Sequence, residues 1–208
     1  MSTQEIRLNL GCGRDIKEGW VNIDSVKLPG VDLKFDFEKC GKKISDDYAP
    51  YCLPYCDNAV DEMLLSHTLE HIQNSLGLMQ ELHRIAKPGS LLTVRVPYGS
   101  SDDADEDPTH VRRYFIGSWG YFSQPFYWRA DYGYRGDWKV ERLTLVVSKA
   151  KYGPMLSTAT IDPQAILQSV YSLRNVVQEM VVVLSAVKPI REPLKELQPQ
   201  TVVYFEYA

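Results

Sequence analysis

"VDEMLLSHTLEHI", residues 60–72, is the stretch on which the reading of the fold turns. Its second half spells His67-x-x-Glu70-His71, the ligand and base order of the inverted zinc peptidases. Its first half, VDEMLLS (60–66), is a strand-length apolar run of the kind that lies buried in a nucleotide-binding sheet. The flanks decide between the two chemistries. Downstream, Asn74 is placed to cap a helix running to about Ala86, with Leu78, Leu82 and Ile85 at helical spacing. KPGS (87–90) then closes that helix with a Pro-Gly turn, and LLTVRV (91–96) is a second strand. Strand, helix, strand over 60–96 reads as a right-handed crossover between parallel strands. The HxxEH segment is left with about two turns before Asn74, and a peptidase would need a third protein ligand from elsewhere. That context argues against a metal at HxxEH, and no metal is expected.

Upstream, IRLNL (6–10), WVNI (20–23) and DLKF (32–35) are further strand-length runs. LNLGCG (8–13) is a strand ending in a turn where Gly11 and Gly13 let backbone approach a ligand that a Cβ would exclude. The next strand ends eleven residues later at Asp24, where a carboxylate can accept hydrogen bonds from both hydroxyls of a ribose. The bland alternative is a tight turn followed by a solvated aspartate. Only seven residues separate Gly13 from Val21, too few for a crossover helix with a phosphate-binding terminus. The spacing therefore suits a nucleoside ligand without phosphates, and S-adenosylmethionine is one.

The segments LNLGCG, GWVNIDS, VDLKFDFE, VDEMLLSHTLEHI and ELHRIAKPGSLLTVRVP, spread in order over residues 6–97, resemble the class I S-adenosylmethionine-dependent methyltransferases, in particular the methyltransferase type 11-like group. The resemblance implies a Rossmann-like, mostly parallel sheet of seven strands, whose last pair, 142–148 and 201–207, closes one edge with an antiparallel strand. It implies the methionine portion of the cofactor against Gly11, Cys12 and Gly13, and the ribose on Asp24. Asp36 and Phe37 would meet the adenine, and Ser66 and His67 would border the sulfonium and the substrate. Leu69 would be buried, with Glu70 and His71 at the rim. Asn9 stands where many relatives carry an acid, and the first helix is almost absent.

Beyond Pro97 the character changes. An acidic and aromatic region spans 98–160, beginning with SSDDADEDPTHVRR (100–113); nine of the twenty residues in 119–138 are Trp, Tyr or Phe, enough to roof a substrate pocket or pack on themselves. His110 follows the fifth strand on the side where open α/β sheets bind ligands, and an ordinary histidine titrates near ~6.5, so it is the first candidate for a catalytic base. His67 is the second. A packing or loop-bonding role for His110 is the competing reading. The acids 102–107 read as a solvated loop more readily than as a Mg²⁺ site, because Mg²⁺ demands fixed octahedral geometry. Arg112 and Arg113 would meet an anionic acceptor or neutralise that loop. RLTLVVS (142–148) and TVVYFEY (201–207) are strands. Between them a helix over 162–188 is expected, with Asp162 as N-cap and Pro163 at the first helical position. Ile166, Val170, Leu173, Val177, Met180, Leu184 and Val187 form a heptad seam along it, packing on the domain or making a homodimer contact.

The totals fit one soluble domain over 1–208: 44% hydrophobic and 24% charged residues, net charge −4. That charge argues against nucleic acid as partner. The amino terminus MSTQEIRLNLG carries no secretory pattern, and no apolar run approaches the roughly 20 residues that span a bilayer, so a cytoplasmic location without membrane attachment is expected. Cys12, Cys40, Cys52 and Cys56 read as reduced thiols, although Cys52 and Cys56 with His67 and His71 would suit zinc if a fold joined them. The expected function is methyl transfer from S-adenosylmethionine to a small-molecule or saccharide-type acceptor. The alternative is a non-catalytic cofactor-binding or partner module on the same fold.

Overall fold

A computed structural model of the chain describes residues 5–41, 52–148, 163–198 and 200–208. Eight strands form one sheet: β1 (Arg7–Leu10), β2 (Val21–Asp24), β3 (Leu33–Lys34), β4 (Val60–Ser66), β5 (Ala86–Pro97), β6 (Trp138–Val147), β7 (Val177–Ala186) and β8 (Val203–Tyr207). Their order across the sheet is β3-β2-β1-β4-β5-β7-β6-β8. The pairs among β1 to β5 are all parallel. The order reverses direction at β1 and β4, and the crevice beyond the carboxyl ends of these strands is where such sheets bind ligands.

The α/β class and the strand–helix–strand order of 60–96 stand as expected, except that β5 begins at Ala86 and takes in KPGS (87–90), expected as a separate turn, at a register shift against β4. Helix α1 (Ser75–Ile85) begins after Asn74 and buries Leu78, Leu82 and Ile85 completely. Each such side chain removed from water is worth about 1.5–3 kcal/mol. Asn74 does not cap the helix with its side chain; its Nδ2 donates to the carbonyls of Glu38 and Cys40, tying the start of α1 to the turn after β3.

Two expectations fail together in the carboxyl-terminal third. No single helix spans 162–188: α3 (Pro163–Ser172), which among the described residues comes after α1 and the short α2 (Asp103–Glu106), is followed by strand β7. Asp162 lies outside the described residues. Asn175, at φ 58°, turns the chain between them. The run Val181–Val182–Val183 explains the change, because β-branched side chains are stiff at χ1 and pack better on a pleated surface. Met180, Val182 and Leu184 are fully buried, an alternation of period two that displaces the heptad spacing. Val177, Met180 and Leu184 are thereby consumed by the chain's own core, and the seam that would have carried a homodimer contact does not exist as a helix face.

The second failure concerns the antiparallel strand. The sheet has eight strands rather than seven, and β6 and β8 pair in parallel. The antiparallel strand is β7, inserted between β5 and β6 and antiparallel to both. Trp119 and Trp138 are completely buried, with indole nitrogens donating to Met180 Sδ (3.4 Å) and to the Met79 carbonyl (3.0 Å). These two aromatics build the core that carries β7. Among the described residues no helix is long and apolar enough to cross a membrane.

Candidate functional site: two cavities divided by His67

The loop after β1 replaces a crossover helix with a side-chain amide network. Asn9, 2% exposed, donates through Nδ2 to the Asp15 carbonyl (2.7 Å) and to Asn22 Oδ1 (2.9 Å). Asn22 Oδ1 also accepts from Lys17 N, and its Nδ2 donates to the carbonyls of Lys17 and Trp20. Buried backbone groups that a helix would have paired with one another are satisfied this way. The asparagine at position 9 is thus a support of the glycine loop.

Gly11 and Gly13 lie at φ +69° and +51°. Around Gly13 the space where a Cβ would stand is open, whereas a Cβ on Gly11 would come within 2.2 Å of Thr68 Oγ1. Gly11 is glycine because Thr68, from the segment after β4, packs directly on it. The Thr68 hydroxyl lies 3.1–3.4 Å from the carbonyls of Ser66, Leu10 and Gly11, stapling the ends of β4 and β1. Gly11→Ala is expected to destabilise the fold by about 2 kcal/mol or more, combining the left-handed backbone cost with overpacking. Adding Thr68→Ala should restore part of the loss in urea unfolding, because the two nearest atoms lie beyond Cβ. A Gly11→Ala protein as stable as the parent would show the contact to be unimportant.

Asp24 ends β2 with its carboxylate over the loop. Oδ2 accepts from Gly13 N and Oδ1 from Val26 N, both at 2.8 Å. Oδ2 keeps a further acceptor site, and on Oδ1 a ligand hydroxyl would displace only a long bond from Ser25 Oγ at 3.5 Å, so the group remains able to take two hydroxyls. A cavity of about 360 Å³ opens here, lined by Gly11, Asp24, Asp36, Phe37, His67 and Thr68 among others. Asp36 Oδ1 accepts from Glu38 N, and Lys39 lies 3.2 Å from Oδ2. Phe37 is 3% exposed and its ring packs against Phe35, so most of that ring belongs to the core. Ile72 supplies further apolar lining. Cys12 is buried, with its thiol pKa raised by desolvation and then by the nearby Asp24 carboxylate. Ser66, expected beside the cofactor, is the half-buried last residue of β4 and is not among the residues lining this cavity. Thr68 and Ile72 escaped the sequence reading, since nothing in their type marks them as ligand-facing.

A second cavity of about 380 Å³ is lined by His67, Pro97, Asp103, Glu106, Asp107, His110, Gln178 and Glu179. His67 lines both cavities. Its backbone is left-handed, at φ 49°, a strained state for a residue with a Cβ and one found where the surroundings over-determine the conformation. Nε2 lies 2.8 Å from Glu179 Oε1, and Nδ1 lies 3.5 Å from Glu70 Oε1. The bond to Glu179, then the proximity of Glu70, push its pKa up to about 9. Burial works to raise that of Glu179, but His67 and the two bonds from Arg95 outweigh it and hold it at about 2. His67 is therefore a cation at neutral pH and a poor proton acceptor. His110 Nδ1 lies 3.3 Å from the Ala104 carbonyl, and its ring meets that of His71 edge-on at 4.7 Å.

The turn after β4 differs from its expected form. Leu69 is buried as predicted, but Glu70 is only 1% exposed and not at the rim, because the 3₁₀ turn Leu69–His71 rolls it inward. Backbone N–H groups of Val111 and Arg112 bond the Glu70 carbonyl, so the segment carrying His110 closes over it. Arg113 pairs with Asp105 at 2.5 Å and Arg112 donates to the Gln73 carbonyl, which places both arginines in loop-holding roles. Cys40 is buried and Cys52 and Cys56 are exposed, all of them free thiols outside the histidine cluster.

Residues 8–94 match the sequence family described as a methyltransferase domain. Over those residues the chain is similar to that family, and its sheet has the Rossmann-like fold of such methyltransferases. Among curated proteins none is similar enough to match. Solved structures share its fold at low identity. A SAM-dependent methyltransferase of Archaeoglobus fulgidus is 17% identical, with TM-score 0.54 over 87% of this chain and 86% of its own. One from Thermotoga maritima is 15% identical, with TM-score 0.51 over 90% and 84%. One from Mesorhizobium loti is 10% identical, with TM-score 0.50 over 86% and 90%. The fold places the two cavities at the carboxyl ends of its parallel strands, the glycine loop on one side of His67 and the acidic lining on the other.

Proposed function

We propose that this methyltransferase domain transfers a methyl group from S-adenosylmethionine to a small, hydroxyl-rich acceptor of saccharide type. S-adenosylmethionine is its cofactor, and it supplies an activated methyl on a sulfonium. The residues present suit it. Asp24 retains acceptor sites for a ribose, the open face of Gly13 admits close approach, and Asp36 and Ile72 offer a polar and an apolar contact to a base. The observation that carries the reading is that one residue, His67, divides two cavities of similar size. Direct displacement gains most from alignment of the reacting atoms, and a thin partition between two pockets is suited to that. The acceptor-side lining of Asp103, Glu106, Asp107 and Glu179 presents hydrogen-bond acceptors to hydroxyls and repels anions.

Within the acceptor cavity His110 is the candidate catalytic residue and His67 the positioning residue, since His67 is already protonated. Calorimetry should find S-adenosylhomocysteine bound at one site per chain, and labelled methyl should pass from S-adenosylmethionine to a member of a panel of sugars and small polyols. His110→Ala should lower turnover by about 100-fold, the low end of what acid–base assistance contributes, with cofactor affinity nearly unchanged. Absence of S-adenosylhomocysteine binding would refute the reading. Binding without transfer across the panel would favour the non-catalytic module.

A further inference from the structure

Glu70, His71 and His110 bring one ligand atom each to within 4.8 Å of one another, at the partition between the two cavities. His71 lines the glycine-loop cavity and His110 the acidic one. Both Glu70 oxygens are buried and make no hydrogen bond, and Oε1 has only a long ion contact, 3.5 Å, to His67 Nδ1. An ionised carboxylate in that state is costly unless it is paired, neutralised or coordinated to a cation.

The two imidazoles are set up in a complementary way. Thr109 Oγ1 donates its single proton to Asp107 Oδ1 at 2.6 Å, so it can only accept from His71 Nδ1, 2.9 Å away. The Thr109 carbonyl, 3.3 Å from the same nitrogen, is likewise only an acceptor. His110 Nδ1 faces the Ala104 carbonyl. Each neutral ring therefore carries its proton on Nδ1 and keeps the Nε2 lone pair. Histidine ligands to metals are commonly oriented in this manner, the second N–H held by a backbone carbonyl or similar acceptor. Asp107 Oδ2, 3.8 Å from His110 Nε2, adds negative charge nearby.

We propose that Glu70, His71 and His110 bind one divalent first-row transition-metal ion, with open positions toward the acceptor cavity. Two imidazoles and one carboxylate suit zinc, manganese, iron or cobalt, whereas Mg²⁺ favours oxygen ligands and keeps its waters. Three protein ligands leave room for an exchangeable oxygen, the pattern of catalytic sites. The ligand class this assigns is an acceptor hydroxyl that binds the ion through oxygen and loses its proton to solvent more readily for doing so, His110 then acting as a ligand of the ion in place of a free base. The HxxEH segment thus contributes its Glu70 and His71 to a site completed by His110, while His67 bonds Glu179 and stays at 3.5 Å from Glu70. Metal binding stands without the methyltransferase reading; the role in activating an acceptor rests on it.

The untagged chain, stripped with chelator, would be titrated with Zn²⁺ by calorimetry and with Co²⁺ by visible absorption, without any acceptor. One saturable equivalent of Zn²⁺ and d–d bands from nitrogen and oxygen ligation are expected, with Mg²⁺ failing to compete. Glu70→Gln and His110→Ala should each lose affinity by about 100-fold or more, since even changes to residues supporting ligands cost 10–100-fold. Thermal unfolding of metal-free Glu70→Gln should be no lower than that of the parent, which separates lost ligation from misfolding. No saturable binding, or unchanged binding in both variants, would overturn the proposal. S-adenosylhomocysteine binding measured on the same samples keeps the two readings apart: its retention alongside absent metal binding overturns the metal site alone.

Discussion

Asp24→Ala is expected to weaken S-adenosylhomocysteine binding by about 100-fold or more, the loss of two hydrogen bonds to a charged acceptor at about 1.5–3 kcal/mol each. The same substitution strands the N–H groups of Gly13 and Val26, both now bonded to the carboxylate at 2.8 Å. The loop should therefore loosen as well as lose its ligand contact. Asp24→Asn separates the effects. The amide keeps the shape and one acceptor oxygen, but presents a donor where two N–H groups and a ribose would compete for acceptors. Its affinity should fall nearly as far as that of the alanine variant. Calorimetry on the three proteins decides the matter, and an Asp24→Ala affinity within about threefold of the parent would remove Asp24 from the cofactor site.

The largest stability effect is expected at Asp137, far along the chain from any glycine loop. Its side chain has no exposed surface, and Arg191 donates to Oδ1 and Oδ2 at 2.8 and 2.9 Å in a two-pronged pair. Oδ1 also accepts from Gln124 N, and Oδ2 from Arg191 N. One carboxylate thus locks the aromatic segment before β6 to the chain leaving β7. Removing one partner of a buried pair leaves the other charge uncompensated, so Asp137→Ala should cost about 3–5 kcal/mol. For a domain of this size that lowers the unfolding midpoint by about 10 °C. The double variant Asp137→Ala/Arg191→Ala should be less unstable than the two single losses summed, since no unpaired charge remains. Additive losses in urea unfolding, or an Asp137→Ala cost below about 1 kcal/mol, would refute this account.

Neither Asp137 nor Arg191 was legible in the sequence, and the reason is instructive. A buried ion pair between positions 54 residues apart has no local signature; an aspartate after a Tyr-Gly-rich segment looks like any turn residue. The strand β4 and helix α1, by contrast, could be read almost to the residue. Their apolar spacing and the turn residues that bound them are properties of a few consecutive positions. Helix α3 and strand β7 show where that local information became ambiguous. The spacing of Ile166, Val170, Val177, Met180 and Leu184 fits a heptad on paper, yet Val182, omitted from that seam, is as buried as its neighbours. The choice fell to the sheet, whose gap between β5 and β6 is filled by an extended β-branched run and could not be filled by a helix.

The candidate site divides in the same way. Gly11, Gly13 and Asp24 announce themselves by type and by distance along the chain, because a parallel strand pair joined by a short loop must bring the end of β2 beside the end of β1. Thr68 is invisible until β4 is laid against β1, when it proves to be the atom-level reason that Gly11 has no side chain.

From the sequence alone came the α/β class, the parallel unit around residues 60–96 and a glycine loop facing an acid, all of which depend on short-range periodicity and turn chemistry. Tertiary structure alone decided that His67 divides two cavities, that Glu70 points inward with neither oxygen hydrogen-bonded, and that His110 joins Glu70 and His71 rather than His67. Those outcomes depend on how the 3₁₀ turn after β4 and the segment closing over it pack together, and such long-range contacts leave no trace in local spacing.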